Sequence, residues 1–69
     1  MTKVEIGDKI KVFDPDTKKV ENAVVIRIAK NGIRADQGGY GIIAADVEIN
    51  GIWGMEEDRK VIEKLIGGK

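Results

Sequence analysis

The chain contains neither cysteine nor histidine. Without cysteine it has no disulfide and no thiolate metal site, so folding depends on the hydrophobic core alone. Without histidine it lacks the commonest general base and the commonest metal ligand. These absences argue against a conventional enzyme. We therefore expect a domain that is not catalytic and that holds no metal and no cofactor.

Long apolar runs and aromatic residues are also scarce. The longest apolar stretches, 23–26 and 41–45, are far shorter than the roughly 20 residues that span a membrane. The first five residues contain no apolar signal core, so we expect no membrane contact and a cytoplasmic location. The three aromatic residues are Phe13, Tyr40 and Trp53, which leaves few side chains for an aromatic groove or cage.

Charge is balanced over the whole chain but not along it. Twelve basic and twelve acidic residues give no net charge, unlike a strongly basic nucleic-acid binder. Residues 1–34 carry eight basic and five acidic side chains, whereas residues 35–69 carry four and seven. A local basic face is therefore compatible with the composition.

What is present is a series of short, β-branched segments separated by turn residues. The 69 residues make one domain. The segments predict five strands over 9–13, 20–29, 33–36, 40–43 and 47–49. The connections are a turn at 14–17, an Asn31-Gly32 hairpin with a type I′ turn, a single helical turn at 44–46, and a second Asn-Gly turn at 50–51.

Near the end of the chain the spacing of apolar residues changes from the alternation of a strand to the period of a helix. Acidic residues at 56–58, Lys64 and the glycines at 67–68 are start and stop signals of a helix over 55–66. Its apolar side is expected to pack on the strands through Met55, Ile62, Leu65 and Ile66. Trp53 precedes the helix, and we expect it to bridge the helix and the strands.

Alternation along the strands predicts which side chains face inward. On the first strand Ile10 and Val12 should face inward, and Lys9, Lys11 and Phe13 outward. On the second strand the β-branched residues at 24, 26 and 28 should form the inner face. The predicted core is Val12, Val24, Ile26, Ile28, Ile33, Ile42, Val47 and Ile49.

Two segments resemble SH3-like small β-barrels. Residues 4–12, V-E-I-G-D-K-I-K-V, are similar to the opening of many such barrels, where an apolar-x-apolar-Gly-Asp stretch precedes the first strand. Residues 44–49 resemble their closing turn and short last strand. The resemblance covers residues 4–49. It favours a mainly β fold, an SH3-like five-stranded small barrel over 4–53 with one C-terminal α-helix over 55–66.

The chain departs from the binding classes within that group. Peptide-binding SH3 domains and Tudor-type barrels use several aromatic side chains, and this chain has three. KOW-type barrels carry a glycine near the start of the second strand, where this chain has Ala23. The resemblance therefore concerns the fold, and fold alone does not imply function.

The candidate binding residues are the basic and aromatic side chains expected outside the barrel. Arg27, Lys30 and Arg34 flank the hairpin, and Arg27 and Arg34 should be neighbours across two strands. The full set is Lys9, Lys11, Phe13, Arg27, Lys30, Arg34 and Tyr40. An alternative interpretation is that the charged members are ordinary solvated positions of half-buried strands. The corresponding alternative for Phe13 and Tyr40 is that they cover the ends of the barrel or pack under the helix.

Two functions fit this set of residues. The first is a non-catalytic binding module or small regulatory adaptor that contacts a protein partner. The alternative is a nucleic-acid-associated, KOW-like barrel that uses the local basic patch. The glycines at 38–41 lack the spacing of a phosphate loop. Asp14, Asp16 and Glu21 lack that of a calcium loop, so we expect turns at both places.

Overall fold

The computed structural model describes residues 4–67. Six strands are present: β1 (Lys9–Asp14), β2 (Lys19–Ala29), β3 (Gly32–Asp36), β4 (Ile42–Ala45), β5 (Val47–Ile49) and β6 (Ile52–Gly54). One helix, α1 (Arg59–Gly67), follows, and short 3₁₀ helices span Gly38–Tyr40 and Glu56–Asp58. Within this described range no helix has both the length and the hydropathy that crossing a bilayer requires.

The six strands form one mixed sheet that curves into a nearly closed barrel. Its strand order is β4-β3-β2-β1-β6-β5. All neighbours are antiparallel except β1 and β6, which run parallel with Lys11 opposite Ile52. The prediction of a mainly β fold with one C-terminal helix is confirmed. The sheet has a sixth strand because the segment after the second Asn-Gly turn pairs with both β1 and β5.

Two of the predicted turns are confirmed, the one after β1 with its predicted hydrogen bonding. After β1, the backbone N–H of Lys18 donates to the carbonyl oxygen of Asp14 at 2.6 Å, and that of Asp16 donates to Oδ1 of Asp14 at 2.8 Å. Between β5 and β6, Asn50 and Gly51 have φ angles of 50° and 89°. Positive values at both positions are the signature of a type I′ hairpin turn.

The hairpin between β2 and β3 forms as predicted, but its turn is not of the predicted type I′. Its loop is Lys30-Asn31, since Ala29 pairs with Gly32, and neither loop residue has a positive φ angle. Gly32 belongs to β3 instead. A Cβ there would overlap the carbonyl oxygen of Ala45 and lie 3.1 Å from Cα of Asp46. This glycine therefore permits close approach of two backbones.

The fourth strand begins later than predicted and replaces the expected helical turn. Residues 38–40 form a 3₁₀ helix, and Gly41 turns the chain with a φ angle of 94°. The strand then runs through Ala44 and Ala45, so the predicted helical turn at 44–46 is wrong. Pairing with β3, with Ala44 opposite Arg34, holds this segment extended.

The predicted inner face of β2 is wrong because the strand contains a β-bulge. Val25 pairs with Ala35, yet the next pair is Arg27 with Arg34, which leaves Ile26 unpaired. Inward positions before the bulge are Ala23 and Val25, at 4% and 0% exposure. Four predicted core residues are exposed instead: Val24, Ile26, Ile28 and Ile42.

Small side chains fill the barrel interior. Val12 and Ile33, both predicted there, are buried, and Val47 and Ile49 are half-buried. The buried residues form two adjoining groups, which are Val12, Ala23 and Ala35, and Val25, Ile33 and Ala45. Half-buried Ile10 and Trp53 pack against both groups. Alanine and valine predominate because a tightly curved sheet leaves little room inside.

Helix α1 covers the opposite side of β1 and β6. Val12 and Trp53 form a cross-strand pair facing the interior, so the following residues, Phe13 and Gly54, face outward. Ile62 of α1 closes over them, and Ile62 and Phe13 are 0% and 2% exposed. Burying each side chain contributes roughly 1.5–3 kcal/mol. The helix begins later than predicted, because residues 56–58 form a 3₁₀ helix.

Asp46 links the two edges of the sheet and the start of the helical segment. It connects β4 to β5, and its backbone N–H donates to the carbonyl oxygen of Gly54 at 2.9 Å. Its Oδ1 accepts the backbone N–H of Glu56 at 2.8 Å. One residue thus closes the barrel and anchors the first turn after β6.

Gly54→Ala should destabilise the fold through a single contact with the helix. A Cβ at this position would lie 2.5 Å from Cδ1 of Ile62, and such overpacking costs about 1–3 kcal/mol. Urea unfolding should show a lower midpoint for Gly54→Ala. Gly39→Ala is the matched control and should change little, since a Cβ there meets nothing within 4 Å.

The double variant identifies the contact responsible. Ile62→Val removes Cδ1 and should alone cost about 0.5–1.5 kcal/mol. Combined with Gly54→Ala, the loss should be smaller than the sum of the two single losses. Strictly additive losses would show that the helix does not pack on Gly54 in this way.

Candidate binding face

Arg27 and Arg34 are directly opposite each other on β2 and β3. Both side chains are exposed, as is Lys30 in the loop that joins these strands. The expected neighbourhood of these three residues is confirmed. The β-bulge is the physical reason, because it turns Arg27 outward; regular alternation from Val25 would have placed it inside.

The two lysines of the candidate set lie on β1, on the same outer side of the sheet. Lys9 pairs with Val24, which is 37% exposed. Lys11 pairs with Asn22, and its Nζ donates to Oδ1 of that residue at 3.1 Å. The lysines are therefore separated from Arg34 by one strand, β2. They extend the basic character of the outer side without joining the arginine pair.

The two aromatic members of the candidate set have different outcomes. Phe13 faces outward as predicted, but α1 covers it, and at 2% exposure it cannot contribute to an open surface. The prediction that Phe13 belongs to an open binding surface is wrong, because the sequence pattern did not show which part of the sheet the helix would cover. Tyr40 ends the 3₁₀ helix Gly38–Tyr40, and its side chain lies outside what the structure describes.

Sequence reasoning missed the apolar part of this face. Val24, Ile26 and Ile42 were expected in the core, and their exposures are 37%, 41% and 63%. Val24 and Ile42 lie in one cross-strand row, on either side of Asp36. The adjacent row is Arg27, Arg34 and Ala44. We call the exposed surface formed by Val24, Ile26, Arg27, Arg34 and Ile42 the outer face.

A groove of about 390 Å³ adjoins the outer face at the hairpin end of β4. Lys30 and Arg34 line one part of it, and Ala44, Ala45 and Asp46 line another. The carboxylate of Asp46 already accepts a hydrogen bond from the backbone of Glu56. The groove therefore carries two basic side chains and one carboxylate, whose Oδ1 is held by the backbone of Glu56.

The ion pairs in the described range lie elsewhere. Arg59 pairs with Glu56 at 2.6 Å and approaches Glu63 at 4.0 Å. Hydrogen bonds from Arg59 lower the pKa of the Glu56 carboxyl, and the same contact raises the pKa of Arg59. Between residues 4 and 67, no carboxylate lies within ion-pair distance of Arg27, Lys30 or Arg34.

Other sites offer less chemistry. An apolar cleft of about 440 Å³ at one end of the barrel is lined by Val4, Ile28, Ile33 and Trp53, with Glu5 as its charged residue. Across residues 4–67, no three acidic side chains come together as metal ligands. The outer face places two arginines without an ion pair beside three exposed aliphatic side chains, Val24, Ile26 and Ile42.

Comparison with known proteins gives no match to a family model, to a curated protein or to a solved structure.

The arginine pair should lower the stability of the fold at low salt. Like charges directly opposite on a sheet are destabilising, by a fraction of 1 kcal/mol for such pairs. Arg27→Glu creates an attractive pair with Arg34 and should raise the urea midpoint, whereas Arg27→Gln should give an intermediate value. Added salt should narrow these differences. Equal midpoints at low salt, or differences that salt does not reduce, would contradict the opposed arrangement.

Proposed function

We propose that this protein is a non-catalytic binding module whose outer face takes up a protein partner carrying carboxylates beside apolar side chains. The chain has no histidine and no cysteine, which disfavours acid–base and thiol chemistry. The nearly closed small barrel is compatible with an SH3-like domain, a fold group that includes several binding classes. A small regulatory adaptor would need no more than such a surface.

The observation that carries the proposal is the opposed pair Arg27 and Arg34. The two residues are directly opposite in the register and exposed, and neither forms an ion pair within the described part of the chain. A carboxylate from a partner would relieve their repulsion and form charge-assisted, potentially bidentate hydrogen bonds. Arginine is also over-represented among the residues that dominate binding energy at protein interfaces.

The apolar residues of the outer face favour a protein over a nucleic acid. Ile42, Ile26 and Val24 present aliphatic side chains next to the arginines, and such surfaces bury well against apolar side chains. Single-stranded nucleic acids instead favour exposed aromatic platforms. Among the described aromatic side chains, Phe13 is buried and Trp53 is half-buried. The nucleic-acid alternative would use the same arginines and is an outcome of the test below.

Affinity capture from the native cell extract with charge-reversal variants tests the proposal. The test variant is Arg27→Glu/Arg34→Glu, which keeps two like charges opposite each other and inverts their sign. The control is Lys18→Glu/Lys19→Glu, two exposed lysines, of which Lys18 lies in the turn before β2 and Lys19 begins the strand. Wild type and control should retain a protein that the arginine variant loses, with nuclease treatment making no difference.

Two results would overturn the proposal. Capture that is unchanged in the Arg27→Glu/Arg34→Glu variant would place the interface elsewhere. Capture that disappears on nuclease treatment and weakens steeply with salt would favour the nucleic-acid alternative. Well-dispersed amide spectra of both variants would show that each is folded.

A further inference from the structure

We infer that the partner binds as an extended segment that adds a strand to the open edge of β4. This inference rests on the proposed function and specifies how the outer face would be used. In strand addition, backbone hydrogen bonds to an exposed sheet edge supply affinity, and alternate side chains supply specificity.

The edge of β4 is open along most of its length. In the strand order, β4 is terminal and pairs with β3 alone. The bond that closes the barrel, from Asp46 to Gly54, lies beyond its last residue. Among the described residues, no backbone group pairs with the outer edge of residues 42–44. Ile42, at the far end from the closure, is 63% exposed.

Nothing in the sequence of β4 protects this edge. Sheet edges are usually guarded by lysine, proline, an inward charge, a bulge or a covering element. The strand is Ile-Ile-Ala-Ala, with no charge, no proline and no register shift against β3. Helix α1 contacts β5 and β6, and the curved sheet brings β6 next to the Asp46 end of β4. Ile42, at the other end of β4, remains exposed. Of these protective features, β4 has only its short length of four residues.

Register determines which side chains an added strand should carry. Arg27, Arg34 and Ala44 occupy one row of the outer face, so the next position in that row belongs to the added strand. Its Cα would lie roughly 10 Å from that of Arg34, two strand spacings away. The methyl group of Ala44 is too short to obstruct the span, which suits an arginine reaching a glutamate.

The neighbouring row requires a different side chain. Val24, Asp36 and Ile42 form it, so an added strand would place its side chain beside exposed Ile42. Asp36 disfavours a second carboxylate there, and Ile42 favours a β-branched residue. Because same-face positions are two residues apart, the expected segment is extended and carries an acidic residue and a β-branched residue at positions i and i+2.

A peptide that reads the same in both directions tests the inference without assuming strand direction. The blocked peptide Thr-Ile-Thr-Glu-Thr-Ile-Thr places glutamate and isoleucine on one face. Titration into the ¹⁵N-labelled protein should shift the amide signals of residues 34 and 42–44 and slow hydrogen exchange along β4. Methylating alternate backbone nitrogens of the peptide should weaken binding at least about tenfold, since it removes the edge hydrogen bonds.

Charge exchange tests the register. A peptide with lysine in place of glutamate should bind the wild type at least about tenfold more weakly. The Arg34→Glu variant should reverse this preference, and Arg34→Gln should reduce it. This pattern would not arise from non-specific adhesion to an apolar surface.

The failures of the two proposals can be distinguished. Equal affinity of the methylated and unmethylated peptides would overturn strand addition and leave recognition of acidic groups by the outer face intact. Equal affinity of the glutamate and lysine peptides, unchanged in Arg34→Glu, would overturn the proposed function. No shift at β4 with millimolar peptide, or sedimentation showing that a second copy occupies this edge, would overturn the inference.

Discussion

The β-bulge at Ile26 is the constraint on which the rest of the molecule depends. The lead-in to β1 holds Val25 in place, because the backbone N–H of Gly7 donates to the carbonyl oxygen of Val25 at 2.7 Å. The N–H of Val25 in turn donates to the carbonyl oxygen of Asp8 at 2.9 Å. Gly7 reaches this position with a φ angle of 99°, a conformation that glycine adopts readily. The extra residue therefore falls immediately after Val25.

That single extra residue changes both sides of the sheet. Before the bulge, Val25 faces the interior opposite Ala35. After it, Ile28 pairs with buried Ile33 and lines the cleft at the end of the barrel, where it stays exposed. Bulges also increase local twist and bend a strand, which helps a six-stranded sheet curve toward closure. On the outside, the same shift brings Arg27 opposite Arg34, so closure of the barrel and the charge of the outer face have one structural origin.

Much of the strand content follows from the sequence, but the faces of β2 do not. β-branched alternation and turn residues predict β1, β2, β3 and β5 to within a residue or two, and they predict the position of the Asn50-Gly51 turn. The alternation along β2 cannot reveal the bulge, because the bulge depends on contacts from Gly7 and Asp8. Val24 and Ile26, which were predicted to face inward, are therefore exposed, and Val25 is buried instead.

The sequence predicts the charged residues of the candidate site but not its apolar residues. Arg27 and Arg34 flank a hairpin, so their proximity follows from local sequence. The exposure of Ile42 and Val24 depends on which face the barrel closes around. The burial of Phe13 depends on where α1 docks, since Gly54 leaves room for Ile62. These outcomes are set by tertiary packing, which overrides strand periodicity.

The most direct test of the bulge is the pattern of interstrand nuclear Overhauser effects between β2 and β3. The account predicts backbone contacts that join Val25 to Ala35 and Arg27 to Arg34, with Ile26 opposite no residue. An uninterrupted register, with Ile26 opposite Arg34 and Arg27 opposite Ile33, would contradict it. That result would turn Arg27 toward the interior and remove the arginine pair from the outer face.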